Sequence, residues 1–341
     1  MEALEREYGI ENAIKLASNE NPLGPSPRAA EAIHAAVGKL NRYPDGAGFE
    51  LIQCIAARFK LDPGSIVLGN GSDDIIALLA YTLLRSGDEV ILPQPSFLYY
   101  EISTCSVGAI PIWVPLESHA IDLDGMLQKL TARTRLIYLN SPFNPTGAIL
   151  SKTEFENFLA AIPPEVIVVL DEAYVEFVRD SGCVDSMAYI SPGCNVVGMR
   201  TFSKAYGLAG LRIGYGVMAP ELSELLNRVR QPFNVNSLAQ AAAIAALSDD
   251  EFLQKTIEHV HTELDFLYES LTSIGIGYIE SQANFLLIQV GQSADNIFNR
   301  LLKQGVIVRS MTSYGYPDYI RVNVGLHAEN ERFLEALQTV L

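Results

Sequence analysis

The chain is poor in several things, and each shortage removes a class of function. Its 341 residues carry 24 Lys and Arg against 40 Asp and Glu, a net charge of −16. Nucleic-acid phosphates are held by basic faces, so a nucleic-acid surface is excluded. The four cysteines, Cys54, Cys105, Cys183 and Cys194, show no C-x-x-C spacing and no histidine partner at metal-ligand spacing. They read as reduced, mostly packed thiols of a cytoplasmic protein. Of five histidines only His259 and His261 lie close, and two residues apart on a helix they face different sides, so no metal site is expected. No apolar run approaches membrane-spanning length, and the opening MEALEREYGI lacks a basic-then-apolar signal pattern. A G-x-G-x-x-G with a downstream acid is missing, which counts against a nucleotide-binding dehydrogenase. No basic helix pair supports a DNA-binding regulator.

What is present fits a globular protein of two lobes, since 341 residues with 49% hydrophobic and 19% charged exceed the usual single-domain length. Short apolar runs at 66–69, 90–92, 109–114, 136–139, 166–170, 196–199 and 213–217 alternate with helical patterns, as βαβ units do. Unbroken Val/Ile/Leu runs suit a parallel sheet covered on both faces. After Pro220 the texture changes to helices at 221–230, 237–247 and 250–274. A mixed region follows, with strands at 284–290, 306–308 and 319–324 and helices at 294–303 and 328–340. The expected fold is α/β. A large domain (41–230) has a mainly parallel sheet between helices; residues 15–40 and 231–341 form a smaller α+β domain, and residues 1–14 an N-terminal arm.

Ligands of such sheets gather beyond the carboxyl ends of the strands, and the polar motifs fall there. TFSKAYGLAGLRIGYG (201–216) follows an apolar run and holds Lys204, one of eight lysines. A lysine in that apolar, Gly-rich setting either is a solvated side chain beside a turn or loses solvation and becomes a nucleophile toward carbonyls. Arg212, Thr201 and Ser203 add donors suited to phosphate. GNGSDD (69–74) opens a helical pattern at 75–85, either as a capping turn led by Ser72 or as an anion site at a helix N-terminus. Phe97 follows a strand end, placed to stack on a planar ring or to fill the core. NSPFNPTG (140–147) is a rigid Asn/Pro/Gly loop. Asp171 ends a buried run, where a carboxylate either caps a loop or needs a cationic partner. Arg309 and Arg321 sit in apolar strands, as structural ion pairs or as a site for two anionic groups.

The S/T-x-S-K…G-L-x-G-x-R-x-G-Y pattern resembles the lysine segment of the class I and II aminotransferases, fold-type I enzymes that use pyridoxal 5'-phosphate. Within that family the histidinol-phosphate aminotransferases come closest, from LASNENPLGPSP near the start to YIRVNVG near the end. The resemblance implies that Lys204 carries the cofactor covalently and serves as general base. It implies that Gly71, Ser72 and Asp73 cradle the cofactor phosphate opposite Thr201, Ser203 and Arg212. Phe97 would lie against the pyridine, Asn144 and Tyr174 would share its phenolate oxygen, and Asp171 would hold its ring proton. Arg321 would take the substrate α-carboxylate or phosphate and Arg309 a distal anionic group, with Asn284 and Asn21 lining the same pocket. Tyr43 matches a tyrosine that reaches the neighbouring subunit's cofactor phosphate, which implies a homodimer. The Asn144–Pro145 peptide is expected to be cis. Leu23 stands where many members carry an aromatic. The implied reaction moves an amino group between histidinol phosphate and 2-oxoglutarate; an aromatic amino-acid aminotransferase and a phosphothreonine decarboxylase share these motifs.

Overall fold

A computed structural model describes residues 12–341. Most of the expected N-terminal arm, 1–14, therefore lies outside the described residues. The chain enters through β1 (Ile14–Lys15). β2 (Ile66–Gly69), β3 (Glu89–Gln94), β4 (Ile110–Pro115), β5 (Thr134–Asn140), β6 (Ile167–Asp171), β7 (Val196–Thr201) and β8 (Gly214–Val217) build a seven-stranded sheet in the order β2-β8-β7-β6-β5-β3-β4. β4, β3, β5, β6 and β7 run parallel. β8 inserts antiparallel between β7 and β2. Apolar clusters lie on the sheet's faces, one around Val67, Leu92, Tyr138 and Val197, another around Ile91, Leu139, Phe155 and Val168. That two-sided burial is why these strands read as unbroken aliphatic runs.

The second lobe holds β9 (Gly277–Ile279), β10 (Phe285–Gln289), β11 (Val306–Ile307), β12 (Arg309–Ser310) and β13 (Tyr319–Asn323). Four of these form an antiparallel sheet, β12-β13-β10-β9, while β11 pairs in parallel with β1. Its core packs Leu264, Leu267 and Leu271 of the helix Asp250–Ser273 against Phe285, Ile288 and Phe333.

The cores divide at a different place from the expected domain boundary. The helices Pro27–Ala36 and Ser237–Leu247 were assigned to the small domain. Ala29, Ala239, Ala242 and Ala243 instead share a cluster with Leu51, Ile66, Phe202 and Val217 beside the large sheet. The reason is the small-residue face of Ser237–Leu247, which lets both helices approach closely and cover the β2–β8 end. The helix Pro27–Ala36 gives way to a 3₁₀ turn, Val37–Lys39. The Asn144–Pro145 peptide is trans, against expectation; cis bonds lie at Gln94–Pro95 and Ser141–Pro142. The loop is tied instead by Asn140 Oδ1, which accepts from the Asn144 N–H at 2.8 Å.

Candidate active site

Parallel strands bring their carboxyl ends to one edge. Asn140 ends β5 opposite Asp171, and Asp171 ends β6 opposite Met199, two residues before β7 stops at Thr201. Asp171 is the one charge in IVVLD, and it is buried. Its Oδ2 accepts from the Tyr100 hydroxyl at 2.5 Å and its Oδ1 from the Ala173 N–H at 3.1 Å. Burial pushes this carboxyl up to about 6, against the pull of those two hydrogen bonds. Among the described residues no cation pairs with it.

Lys204 stands three residues past β7. Its Nζ donates to the Ser18 carbonyl at 3.2 Å and lies 5.6 Å from the Tyr174 ring centre. Desolvation, then the positive charges of Arg321 and Arg212, lower its pKa to about 8, with Glu20 and Asp73 opposing. An amine so placed holds a useful neutral fraction near neutral pH and can attack a carbonyl or take a proton.

At the opposite side of the sheet's edge the helix Ser72–Leu83 begins. Its N-cap is Gly71, at φ 81°, and no side chain caps the first turn. The sequence pattern placed this start at 75, with Ser72 as the cap. The helix begins three residues earlier because Gly71 adopts the left-handed φ that frees its backbone to lead the turn. Uncapped N–H groups at a helix N-terminus favour an anion. Arg212 closes over them: its Nη2 meets Asp73 Oδ2 at 3.1 Å and its Nη1 donates to the Ala209 carbonyl at 3.2 Å. A Cβ on Gly71 would fall 2.7 Å from Arg212 Nη2, and one on Gly214 would fall 2.6 Å from the Ser72 nitrogen. Only glycine permits either approach. Thr201 Oγ1 donates to Ser203 Oγ at 3.0 Å and accepts from the Ser203 N–H at 3.1 Å, completing the hydroxyl side.

The second lobe contributes two arginines that face each other across the β12–β13 ladder, and directly paired side chains share one sheet face. Arg321 is buried; its Nη1 donates to Asn144 Oδ1 at 2.5 Å and its Nη2 to the Ala17 carbonyl at 3.0 Å, while its Nε has no partner among the described residues. Arg309 is exposed. Tyr174, buried, accepts from Asn19 Nδ2 at 2.9 Å.

Of the sixteen residues singled out in the sequence, twelve line one cavity of about 380 Å³: Ser72, Asp73, Phe97, Asn144, Asp171, Tyr174, Thr201, Ser203, Lys204, Arg212, Arg309 and Arg321. Gly71 lies behind Arg212. Asn21 and Asn284 are not among the residues that line the cavity; their amide nitrogens fasten the segment that borders it. Asn21 Nδ2 donates to the Ala205 carbonyl at 3.0 Å, and Asn284 Nδ2 donates to the Asn19 carbonyl at 3.2 Å. Tyr43 is 82% exposed, stacked on Phe233 at 4.7 Å and away from this chain's own cavity. Sequence reasoning missed Tyr100, Asn19 and Tyr314. Tyr100 had a readable signal, standing one helical turn after Phe97 in PSFLYY.

The chain belongs to the class I and II aminotransferases, whose family model matches residues 11–337. Over 341 residues, all of this chain and 93% of the other protein, it is 48% identical to histidinol-phosphate aminotransferase 2 of Haemophilus influenzae (strain 86-028NP). It is 43% identical to the histidinol-phosphate aminotransferase of Moorella thermoacetica, again over all of this chain and 89% of that one. The crystal structure of histidinol-phosphate aminotransferase from Sinorhizobium meliloti in complex with pyridoxal-5'-phosphate is similar with a TM-score of 0.93, at 29% identity, over 99% of this chain and 93% of that one. A Thermus thermophilus aspartate aminotransferase double mutant is similar at TM-score 0.87 and 25% identity, over 99% and 94% of the two chains. The architecture is that of the fold-type I enzymes.

Proposed function

We propose that the chain is a pyridoxal-phosphate-dependent aminotransferase that exchanges an amino group between L-histidinol phosphate and 2-oxoglutarate, in histidine biosynthesis. The observation that carries the cofactor reading is Asp171, a buried carboxylate that faces the cavity with no cation to balance it. A pyridinium nitrogen supplies that cation. The rest of the cavity fits the same group: the uncapped helix start with Arg212, Thr201 and Ser203 for its phosphate, Lys204 for its aldehyde, and Asn144 and Tyr174 for its phenolate oxygen. Phe97, edge-on to Tyr100 at 5.5 Å, closes one face.

Pyridoxal phosphate, when bound, supplies an electron sink for the charge left on a carbon that loses a proton. The chain does the remaining work. Asp171 keeps the ring nitrogen protonated. Lys204 would hold the cofactor's aldehyde and, with its Nζ free, would take a proton from the substrate carbon and return it to the neighbouring position, a task suited to a pKa of about 8. Arg321 and Arg309, which line the cavity, would orient the substrate through its anionic groups. The segment through Ala17, Ser18, Asn19 and Glu20 lines the same cavity.

Histidinol phosphate as donor is supported by relatives of that name at 43% and 48% identity over the whole chain, and by two arginines in a chain with few basic residues. The proposed protein is a cytoplasmic homodimer in which the exposed Tyr43 completes the neighbour's phosphate site; among the described residues no helix is long and apolar enough to cross a membrane. The decisive measurement is kcat/KM for histidinol phosphate, histidinol and phenylalanine at one 2-oxoglutarate concentration. Histidinol phosphate should lead by about ten- to a hundredfold, the worth of one charge-assisted hydrogen bond. If phenylalanine matches or beats it, the donor assignment fails and an aromatic amino-acid aminotransferase takes its place.

A further inference from the structure

Asp171 has one side-chain partner, and that partner is not a cation. The Tyr100 hydroxyl donates to Oδ2 at 2.5 Å from a ring that is 1% exposed. Tyr100 lies in the first turn of the helix Leu98–Ser106, one turn after Phe97, so a single helix start directs an aromatic face into the cavity and a phenol toward the carboxylate. The ring is fixed by stacking on Tyr138, with centres 4.4 Å apart and planes 13° from parallel. We propose that Tyr100 is a positioning residue whose hydroxyl keeps Asp171 ionised and aimed into the cavity, and thereby sets how firmly the pyridinium of pyridoxal phosphate is retained.

Apart from the Ala173 N–H on Oδ1, the described surroundings leave no other donor for that task. The titratable groups that act on Asp171 include Asp73 from the helix Ser72–Leu83, Glu172 just past the end of β6, and Tyr100, Tyr138 and Tyr174, all of them acids. Negative neighbours and burial both favour the protonated carboxyl, so a donor to the charged form is what holds it ionised. The phenol keeps its own proton, because burial and the adjacent carboxylate raise its pKa well above the ordinary value. Tyr138 makes the contrast: it is as deeply buried and in the same stack, yet its hydroxyl has no partner among the described residues.

The inference rests on the pyridoxal-phosphate reading, and one titration separates the two. Dissociation constants for pyridoxal phosphate are measured by equilibrium titration of cofactor-free protein for the parent, Tyr100→Phe, Tyr138→Phe, Asp171→Asn and Tyr100→Phe/Asp171→Asn, with the melting temperature of each cofactor-free form. If the parent binds no pyridoxal phosphate, the functional reading itself fails. Tyr100→Phe keeps the ring and should weaken binding about ten- to a hundredfold at pH 7. Tyr138→Phe should leave binding as in the parent, and Tyr100→Phe should add nothing on the Asp171→Asn background. The Tyr100→Phe deficit should also narrow as pH rises and Asp171 ionises unaided. Equal losses in the two Tyr→Phe variants, an undiminished Tyr100 effect without Asp171, or a lower melting temperature with parent-like binding would each overturn the proposal. Should Tyr100→Phe fail to fold, the parent carrying 3-fluorotyrosine at position 100 replaces it. Its more acidic phenol donates more strongly and should tighten binding; unchanged binding would overturn the proposal.

Discussion

Arg321→Gln perturbs two things through one buried guanidinium. It removes a donor for an anionic substrate group, and it removes a positive charge beside Lys204. The first effect is a charge-assisted hydrogen bond, about 1.5–3 kcal/mol, or about ten- to a hundredfold in kcat/KM for histidinol phosphate. Unphosphorylated histidinol has no group for that donor and should lose much less. The second effect has a sign fixed by electrostatics. After desolvation, Arg321 is the largest influence lowering the Lys204 pKa to about 8. Without that charge the ammonium form is favoured, the pKa rises, and at pH 8 a smaller fraction of the amine is neutral. The rate of Lys204 acylation in cofactor-free protein, followed against pH by peptide mapping, reads this directly. The midpoint should lie near 8 in the parent and higher in Arg321→Gln. An unmoved midpoint would refute the electrostatic reasoning, and equal losses on histidinol phosphate and histidinol would refute the substrate role.

Two further outcomes follow from the same site. Borohydride treatment of protein loaded with pyridoxal phosphate should fix the cofactor to Lys204 on peptide mapping, and Lys204→Ala should melt as a folded protein without turnover; label on a different lysine would sink the assignment. Tyr43→Phe should weaken cofactor retention, and mixing it with Lys204→Ala should restore activity on subunit exchange, since one hybrid site then carries both defects and the other neither. Confirmed exchange without recovery would count against a shared site.

Most strands of the large sheet were legible because they are short apolar runs, several of them aliphatic throughout, and the helix Ser237–Leu247 coincides with its sequence pattern. The short strands β9 and β12 were not, since two or three residues carry no period. Neither was the side taken by the helix Ser237–Leu247. Its sequence, SLAQAAAIAAL, is apolar nearly all round and does not say which surface it covers. At the site, Lys204, Asp171 and Arg212 stood out because each is a charge in an apolar or glycine-rich context. Tyr100 was passed over although its place one helical turn after Phe97 is readable, since a tyrosine inside a helix reads equally well as core. Asn21 and Asn284 were read as ligand contacts from their motifs; their hydrogen bonds to backbone carbonyls are long-range and invisible in sequence.

Asp171 also makes the cofactor-free fold less stable than it need be, which gives a final test. Its carboxyl has a pKa of about 6 in the fold against 3.8 as the ordinary value. A raised carboxyl pKa means the folded form binds the proton more tightly than the unfolded chain does. Stability from this group is therefore full below about pH 4 and is lost as pH rises through about 6. The shift corresponds to about 3 kcal/mol, at ~1.4 kcal/mol per unit. Asp171→Asn cannot ionise, so it escapes that loss, less whatever the amide forfeits in its contact with the Tyr100 hydroxyl. Relative to the parent, the cofactor-free variant should gain melting temperature as pH is raised from 4 to 7, by about a few degrees. The order should reverse once pyridoxal phosphate is added, because ligand binding stabilises only the form that holds it. A pH-independent difference between the two cofactor-free proteins would show that the buried carboxylate is not strained. The need for a cation at this end of the cavity would then lose its physical basis.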